Sequence, residues 1–276
     1  MLATSKTKIC IIIGDPVRHS LSPLMHNHAY KQTNLEGKFI FIAARVKNKQ
    51  LSTVFPALKH MQVQGITCTA PHKQTVIKYL DQIDSTASII DAVNTVVKEK
   101  AGYKGYNTDW LGVVDPLEKL TDLKNKKIAL LGAGGAARAA VYGLLKKGAR
   151  LTIFNRTQDK AQKLVEEFAA MAKYKAKSAG LDELSTIPNY QIIVNTTSVG
   201  LKQDKSLIKP DWLKQNHIVF DAVYSEAGTR LINDAQAKKA QVITGKEMLL
   251  YQGIAQYELY TGQKAPVQAM KNILNL

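Results

Sequence analysis

The chain has 276 residues, of which 45% are hydrophobic and 22% charged. This composition is ordinary for a globular protein and excludes a collagen-like repeat, a largely disordered chain and a membrane bundle. The 38 Lys and Arg residues outnumber the 22 Asp and Glu residues, and the net charge of +16 favours anionic partners such as nucleic acid, phosphorylated cofactors or carboxylate substrates.

Short, continuous apolar runs alternate with helical patterns along the chain. The runs predict strands buried on both faces of a parallel sheet at 9–13, 39–43, 128–131, 151–154, 192–194 and 218–220. Helices are predicted at 136–145, 158–171, 230–239 and from residue 245 onward. This alternation predicts right-handed βαβ units in an α/β protein. A length of 276 residues favours two domains, and the polar stretch 121–127 is the best candidate for their boundary.

The two cysteines and the apolar segments indicate in which cellular compartment the protein lies. Cys10 and Cys68 match no CxxC or zinc spacing and stand in apolar stretches, which predicts buried thiols in a reducing compartment. The first apolar run is too short for a signal peptide. Segment 128–145 has one charge, Arg138, but its clustered glycines predict a strand, turn and helix rather than a membrane span. We therefore expect a cytoplasmic protein.

A glycine-rich segment follows the predicted strand at 128–131. The run GAGGAA at 132–137 fits the G-x-G-x-x-G/A pattern of dinucleotide-binding folds. The first glycine permits a tight turn, the second lets the backbone approach a pyrophosphate, and the helix that follows attracts the anion with its N-terminus. A glycine-rich turn without a ligand is the alternative.

The residues after the next predicted strand favour one cofactor. NAD-binding folds usually place an acidic residue there, whereas this chain has Asn155, Arg156 and Thr157. The guanidinium of Arg156 suits a 2′-phosphate, and its two neighbours can add hydrogen bonds. NADP is therefore favoured over NAD, and the alternative is that Arg156 is a surface residue that begins a helix.

Polar groups end several apolar stretches in the first 110 residues. Ser22 precedes Pro23 and so predicts a helix N-cap, while Ser20 and Ser22 could both donate to a carboxylate. Lys73 and Asp109 also have ordinary interpretations, as a solvated lysine at a helix start and as a helix N-cap.

Together these segments resemble the shikimate dehydrogenase family. The motifs SLSP, TAPHK, AVNT, GYNTDWLG, GAGGAARA, NRT, NTTSVG, DAVY and GKEMLLYQ occur in family order between residues 14 and 252. The resemblance implies an N-terminal α/β substrate domain, a Rossmann domain with a doubly wound parallel sheet, and C-terminal helices that return to the first domain. We expect the substrate domain at 1–108 plus 249–276 and the NADP-binding domain at 109–248. The implied activity is the reversible NADPH-dependent reduction of 3-dehydroshikimate to shikimate in aromatic amino acid biosynthesis.

The resemblance also implies roles for particular residues. The catalytic pair is Lys73 and Asp109. The residues implied in substrate binding are these two together with Ser20, Ser22, Thr69, Asn94, Tyr224 and Gln252. The residues implied in cofactor binding are Gly132, Ala133, Gly134, Gly135, Ala136, Asn155, Arg156, Thr157, Lys160, Thr197, Ala222 and Gly245.

The chemistry of ketone reduction agrees with this catalytic pair. Hydride delivery to a ketone creates an alkoxide, which an ammonium group can stabilise and protonate. Lys73 is the natural donor, and a nearby Asp109 would orient it. Whether the lysine acts as acid and base or chiefly as an electrostatic anchor stays open.

The chain departs from the family pattern at a few positions. Thr67 stands where Asn is common, Asp91 where Gly is frequent, and Lys246 and Glu247 where small or apolar residues are usual. None of these departures removes a proposed catalytic group, but they leave turnover and cofactor geometry open.

Two other functions compete with this one. A quinate/shikimate dehydrogenase with relaxed substrate or NAD use would share the motifs, and a catalytically silent basic protein that binds NADP or nucleic acid would share the fold and charge. We expect a small-molecule substrate, no nucleic-acid partner, no membrane partner, and a monomer or homodimer. No metal is expected, because His26 and His28 diverge on a helix and no third ligand follows at a suitable spacing.

Overall fold

A computed structural model describes residues 3–225 and 228–276. The strands, in chain order, are β1 (Lys8–Gly14), β2 (Phe39–Arg45), β3 (Gly65–Cys68), β4 (Gln82–Ile83), β5 (Thr95–Glu99), β6 (Gly102–Tyr106), β7 (Lys127–Leu131), β8 (Arg150–Phe154), β9 (Lys177–Ala179), β10 (Ile192–Asn195), β11 (Ile218–Asp221) and β12 (Gln241–Ile243). The α-helices are α1 (Ser22–Gln32), α2 (Leu51–His60), α3 (His72–Thr75), α4 (Ser85–Ile90), α5 (Asp109–Glu118), α6 (Gly135–Lys146), α7 (Gln158–Glu167), α8 (Arg230–Ala237), α9 (Gly245–Thr261) and α10 (Val267–Ile273).

The chain divides into two compact units. The first contains the residues up to Asp109 together with Leu249–Leu276, and the second is Trp110–Met248. Each unit contains one six-stranded sheet. The polar stretch 121–127 lies within the second unit, between α5 and β7. No helix in the described ranges is long and apolar enough to cross a membrane.

The sheet of the first unit has the order β2-β1-β3-β5-β6-β4 and is mixed. β1 pairs in parallel with β2 and β3, whereas β5 is antiparallel to both β3 and β6. β5 and β6 form a hairpin because only Lys100 and Ala101 separate them, which is too short for a parallel crossover. The predicted burial of 39–43 on both faces is wrong, because β2 is an edge strand and Ile42 is 41% exposed.

Side chains of β1 alternate between two apolar layers. Cys10 and Ile12 belong to one cluster, and Ile11 and Ile13 to the other, as the two-residue period of a strand requires. Cys10 and Cys68 are both buried and free, as predicted.

His26 of α1 lies in an aromatic part of this core. Its ring is fully buried and stacks on Phe41, with centroids 4.5 Å apart and planes 5° apart. Neither ring nitrogen has a hydrogen-bond partner among the described residues. Burial disfavours the charged ring and lowers the pKa of His26 from 6.5 to about 3, although the Gln256 side chain opposes this shift.

This shift predicts acid sensitivity that a variant can remove. Below about pH 6.5 the unfolded chain binds a proton at His26, whereas the folded chain binds it only near pH 3. The contribution of His26 to the free energy of unfolding is therefore fully present above pH 6.5 and falls by about 1.4 kcal/mol per pH unit as the pH drops toward 3. Between pH 6.5 and about pH 4.5 the loss from His26 is roughly 2–3 kcal/mol. Urea unfolding at several pH values will show a shallower pH dependence for His26→Leu than for the wild type. His28→Leu, on the same helix, retains His26 and its contribution; equal slopes in all three proteins would contradict the assignment.

The second unit has the predicted doubly wound parallel sheet, in the order β12-β11-β10-β7-β8-β9. The chain moves outward from β7 through β8 and β9, and then outward on the other side through β10, β11 and β12. Ligands of such sheets bind at the carboxyl ends of the strands, where this order reverses. The glycine-rich segment follows β7 at that end. The helix predicted at 158–171 ends at Glu167, and a short 3₁₀ turn, Ala169–Met171, follows it.

Candidate functional site

A lysine–carboxylate pair lies in the first unit. Lys73 is in α3, shortly after β3, and Asp109 begins α5 after β6. The Nζ atom of Lys73 donates to Oδ2 of Asp109 at 2.7 Å, and the side chains are only 18% and 6% exposed. A short ion pair that is largely withdrawn from water is stronger and better oriented than an exposed one.

Asn94 holds the other oxygen of this carboxylate. Its Nδ2 donates to Oδ1 of Asp109 at 2.8 Å and to Oγ1 of Thr108 at 2.9 Å. Its Oδ1 accepts from the Thr108 backbone N–H and from the Thr95 hydroxyl, both at 2.8 Å. All the hydrogens and acceptor positions of this amide are therefore used, and the network defines which way it points.

Gln252, predicted from the resemblance, lies at the edge of this network. Its Oε1 is 3.5 Å from Nδ2 of Asn94, too long for a strong bond, and its Nε2 donates to the carbonyl of Leu249 at 2.9 Å. The structure thus brings Lys73, Asp109, Asn94 and Gln252 together.

The two predicted serines pair with each other. Oγ of Ser20 donates to Oγ of Ser22 at 3.2 Å, and the backbone N–H of Ser22 points to Oγ of Ser20. The prediction of Ser22 as the N-cap of α1 is wrong: Leu21 occupies that position, no side chain caps the helix, and Ser22 is the first helical residue. Its hydroxyl faces Ser20 instead of the amides of the first turn.

Thr69 and Tyr224 complete the predicted substrate set. Thr69 follows β3, and its carbonyl accepts from the backbone N–H of His72 at 2.8 Å, next to Lys73. Tyr224 lies in the second unit, three residues after the end of β11.

The glycine-rich turn has the backbone that a pyrophosphate site needs. Gly132 has a φ of +109°, and a Cβ there would lie 2.9 Å from Oγ1 of Thr196. A Cβ on Gly134 would meet nothing within 4 Å, so this exposed position presents open backbone. α6 begins at Gly135 without a side-chain cap, which leaves its first N–H groups for an anion. Ala133 and Ala136 are half-buried beside this turn, and the segment fits a dinucleotide.

The residues after β8 fit the phosphate of NADP. Nδ2 of Asn155 donates to the carbonyl of Thr157 at 2.8 Å, which shapes the loop before α7. Arg156, Thr157 and Lys160 are exposed. Within the described ranges no ion pair engages Arg156, so its guanidinium is available for a 2′-phosphate.

A buried polar network ties together the carboxyl ends of β10 and β11. Oγ1 of Thr197 donates to Oδ1 of Asn195 at 2.7 Å, and Nδ2 of Asn195 donates to Oδ1 of Asp221 at 2.9 Å. Asp221 is fully buried and also accepts from the Thr229 hydroxyl at 2.6 Å. Burial raises the pKa of its carboxyl, and the hydrogen bonds oppose that rise. The network supports Thr197 and the loop with Ala222.

Gly245 is required by a close approach between two backbone segments. A Cβ at this position would lie 2.5 Å from the carbonyl oxygen of Ala222. The loop after β11 therefore approaches the start of α9 as closely as two backbones allow, and any larger residue would push them apart.

Three of the four departures from the family pattern have local explanations. Asp91 has a φ of +54° at the C-cap of α4, a conformation that favours Gly, and it accepts from Nε2 of Gln74 at 2.8 Å. Glu247 accepts from the backbone N–H of Thr244 at 2.7 Å and so caps the start of α9. Oγ1 of Thr67 lies 2.8 Å from the hydroxyl of Tyr260. It takes no part in the hydrogen bonds that join Asp109 to Lys73 and Asn94.

Sequence reasoning missed the residues that support the predicted ones. These residues are buried: Thr95 and Thr108 bond Asn94, Asn195 bonds Thr197, and Asp221 bonds Asn195. A signal was present for Asn195 and Asp221, since each is the polar last residue of an apolar strand, whereas Thr95 begins β5 and Thr108 follows β6.

Comparisons with known proteins agree over nearly the whole chain. Three family models match: the shikimate dehydrogenase substrate binding domain at 12–96, shikimate / quinate 5-dehydrogenase at 116–216, and the shikimate 5′-dehydrogenase C-terminal domain at 245–274. A curated shikimate dehydrogenase (NADP(+)) of Nitrosopumilus maritimus (strain SCM1) is 42% identical over 270 residues, which cover 97% of this chain and 98% of that relative.

Solved structures show the same similarity. A crystal structure of a shikimate dehydrogenase in complex with NADP+ has a TM-score of 0.92 and 35% identity, covering 99% of this chain and 96% of that one. A shikimate 5-dehydrogenase from Thermus thermophilus in complex with NADP(H) and shikimate has a TM-score of 0.87 and 30% identity, covering 98% and 99%.

The parallel sheet with its glycine-rich turn, and the separate α/β unit with its lysine–carboxylate pair, define a two-domain NADP-dependent dehydrogenase. Within that class the chain belongs to the shikimate dehydrogenase family.

Proposed function

We propose that this protein reversibly reduces 3-dehydroshikimate to shikimate with NADPH. The observation that carries the proposal is the largely buried pair of Lys73 and Asp109 at 2.7 Å, in a chain that also holds a turn and an arginine suited to NADP. The names of the curated relatives favour shikimate over quinate and NADP over NAD. We assign the substrate to the domain at 1–108 plus 249–276 together with Asp109, which belongs to the same compact unit, and the cofactor to the rest of the domain at 109–248.

In this mechanism Lys73 handles the proton. NADPH, when bound, supplies a hydride to the carbonyl carbon. One N–H of the Lys73 ammonium is held by Asp109, so another can point to the carbonyl oxygen and transfer its proton as negative charge develops there. In the reverse direction neutral Lys73 takes the proton from the hydroxyl. Asp109 keeps Nζ in place through its hydrogen bond at 2.7 Å.

The remaining predicted residues orient the substrate. The paired hydroxyls of Ser20 and Ser22 offer two adjacent donors for its carboxylate. Thr69, Gln252 and Tyr224 are assigned to its hydroxyls and ring. Asn94 already donates both amide hydrogens within the protein, so a bond from its NH₂ group to the substrate requires it to exchange one of them.

Turnover by the purified protein tests the proposal. NADP reduction is followed with shikimate, and in parallel with quinate and with NAD. We expect strong turnover only with shikimate and NADP. Comparable quinate or NAD turnover would favour the broader dehydrogenase, and NADP binding without any turnover would favour a regulatory protein. The cytoplasmic location and the monomeric or dimeric state stay predictions.

Cofactor choice gives a separate prediction at Arg156. A charge-assisted hydrogen bond to the 2′-phosphate contributes about 1.5–3 kcal/mol, so Arg156→Ala raises the KM for NADP by roughly 10–100-fold. The KM for NAD, which lacks that phosphate, stays within about twofold. Arg150→Ala, at the other end of β8 over the ring of Tyr174, is the matched control and leaves both values unchanged. An equal loss with NADP and NAD in Arg156→Ala would overturn the assignment.

A further inference from the structure

Two buried polar residues behind the site have no assigned role. Thr95 begins β5 and Gln256 lies in α9, and both side chains are fully buried. Buried polar groups are costly unless they are hydrogen-bonded. Oε1 of Gln256 has no hydrogen-bond partner among the described residues, and the side chain also interacts with the buried ring of His26. Its Nε2 makes one bond toward the site.

The bond runs from Gln256 to Thr95. Nε2 of Gln256 donates to Oγ1 of Thr95 at 2.9 Å. An amide NH₂ only donates, so the threonine hydrogen has to point elsewhere. It points to Oδ1 of Asn94, 2.8 Å away, while Oγ1 of Thr108 lies at 3.3 Å.

This hydroxyl helps to fix the orientation of Asn94. With Oδ1 held by Thr95 and by the Thr108 N–H, the NH₂ group faces Oδ1 of Asp109 at 2.8 Å. A flipped amide would place its oxygen against that carboxylate and its NH₂ group against two donors. The observed orientation therefore determines how the carboxylate presents its other oxygen to Lys73.

We propose that Thr95 and Gln256 are positioning residues, which orient the Asn94 amide and through it the Asp109 carboxylate opposite Lys73. The inference rests on the proposed function, because the pair it aligns is the catalytic pair. Thr95 and Gln256, which are 161 positions apart in the sequence, thereby contribute to the rate of the reaction.

Isosteric substitution tests the proposal. Thr95→Val removes the hydroxyl but keeps the shape, and we expect kcat with shikimate to fall about tenfold, the equivalent of one lost hydrogen bond. The KM for NADP stays within about twofold, because the cofactor residues are untouched. Thr95→Ser restores the donor and returns kcat to within about threefold of wild type. Gln256→Met, which removes the donor to Thr95, lowers kcat in the same direction and decides the matter if Thr95→Val does not fold.

Thr67→Val is the matched control. Thr67 is a buried threonine on neighbouring β3 whose hydroxyl bonds Tyr260. Tyr260 also interacts with Thr95, so Thr67→Val disturbs that shared neighbour and leaves the bond from Thr95 to Asn94 in place. This variant loses thermal stability without losing kcat, whereas a merely structural role for Thr95 would make the two valine variants behave alike. Unchanged kcat in folded Thr95→Val, or failure of Thr95→Ser to restore it, overturns the inference while wild-type turnover upholds the proposed function. Absence of wild-type turnover overturns the proposed function itself, and this inference with it.

Discussion

Lys73→Ala will lower turnover by roughly 10²–10⁴-fold in both directions, the range for a positioned general acid or base. The variant removes the only group that donates to Oδ2 of Asp109 among the described residues, and with it the proton donor to the developing alkoxide. NADPH binding stays nearly intact, because the glycine-rich turn and Arg156 lie in the other unit. Steady-state rates with shikimate and with 3-dehydroshikimate, beside NADPH titrations, measure both effects.

Two further variants separate charge from packing. Lys73→Met keeps most of the side-chain stem and should lose as much activity as Lys73→Ala, since the ammonium is the missing part. Lys78→Ala removes an exposed lysine from the short helical turn that follows α3, where it lies over the ring of Tyr79, and should keep wild-type rates. Near-wild-type turnover by Lys73→Ala would remove the lysine from the mechanism.

Much of the fold was readable from the sequence, for a physical reason. Strands buried on both faces of a sheet are continuous apolar runs, and the six predicted runs all fall within observed strands. The sequence did not predict which strands pair with each other. The edge position of β2 and the antiparallel direction of β5 depend on which strands lie next to each other in the sheet. An apolar run does not indicate which strand will lie beside it.

The sequence predicted only those site residues that belong to recognisable motifs. Lys73 and Asp109 were predicted from residues next to them in the chain, and the structure joins them over 36 positions. Gln256 carried no signal, because a glutamine in a helix is ordinary until the fold places it against Thr95. The prediction for Ser22 was wrong because a serine before a proline usually caps a helix, and only the folded structure shows that its hydroxyl faces Ser20.

Asp109→Asn will lower kcat/KM for shikimate by about 10²-fold or more, because an amide cannot hold the Lys73 ammonium as an ion partner. The substitution also places a donor or an acceptor against the Asn94 NH₂, depending on how the new amide turns. One of the two bonds that the carboxylate now accepts, at 2.7 and 2.8 Å, must therefore weaken. Asp81→Asn is the control: that carboxylate pairs with Lys59 at the surface at 2.9 Å and accepts from the Tyr103 backbone N–H at 2.7 Å, so its loss should lower stability and leave activity unchanged.

A double-mutant cycle decides whether the two residues act as one unit. If Asp109 works by holding Lys73, then Lys73→Ala with Asp109→Asn will be about as slow as Lys73→Ala alone, since there is no ammonium left to orient. If Asp109 instead acts on the substrate independently, the two losses will multiply, and the double variant will be slower than either by about 10²-fold or more. The first outcome assigns Asp109 to orienting the proton donor, and multiplicative losses would refute that role. Rates measured in both directions extend the same distinction to shikimate oxidation, where neutral Lys73 must be held to accept a proton.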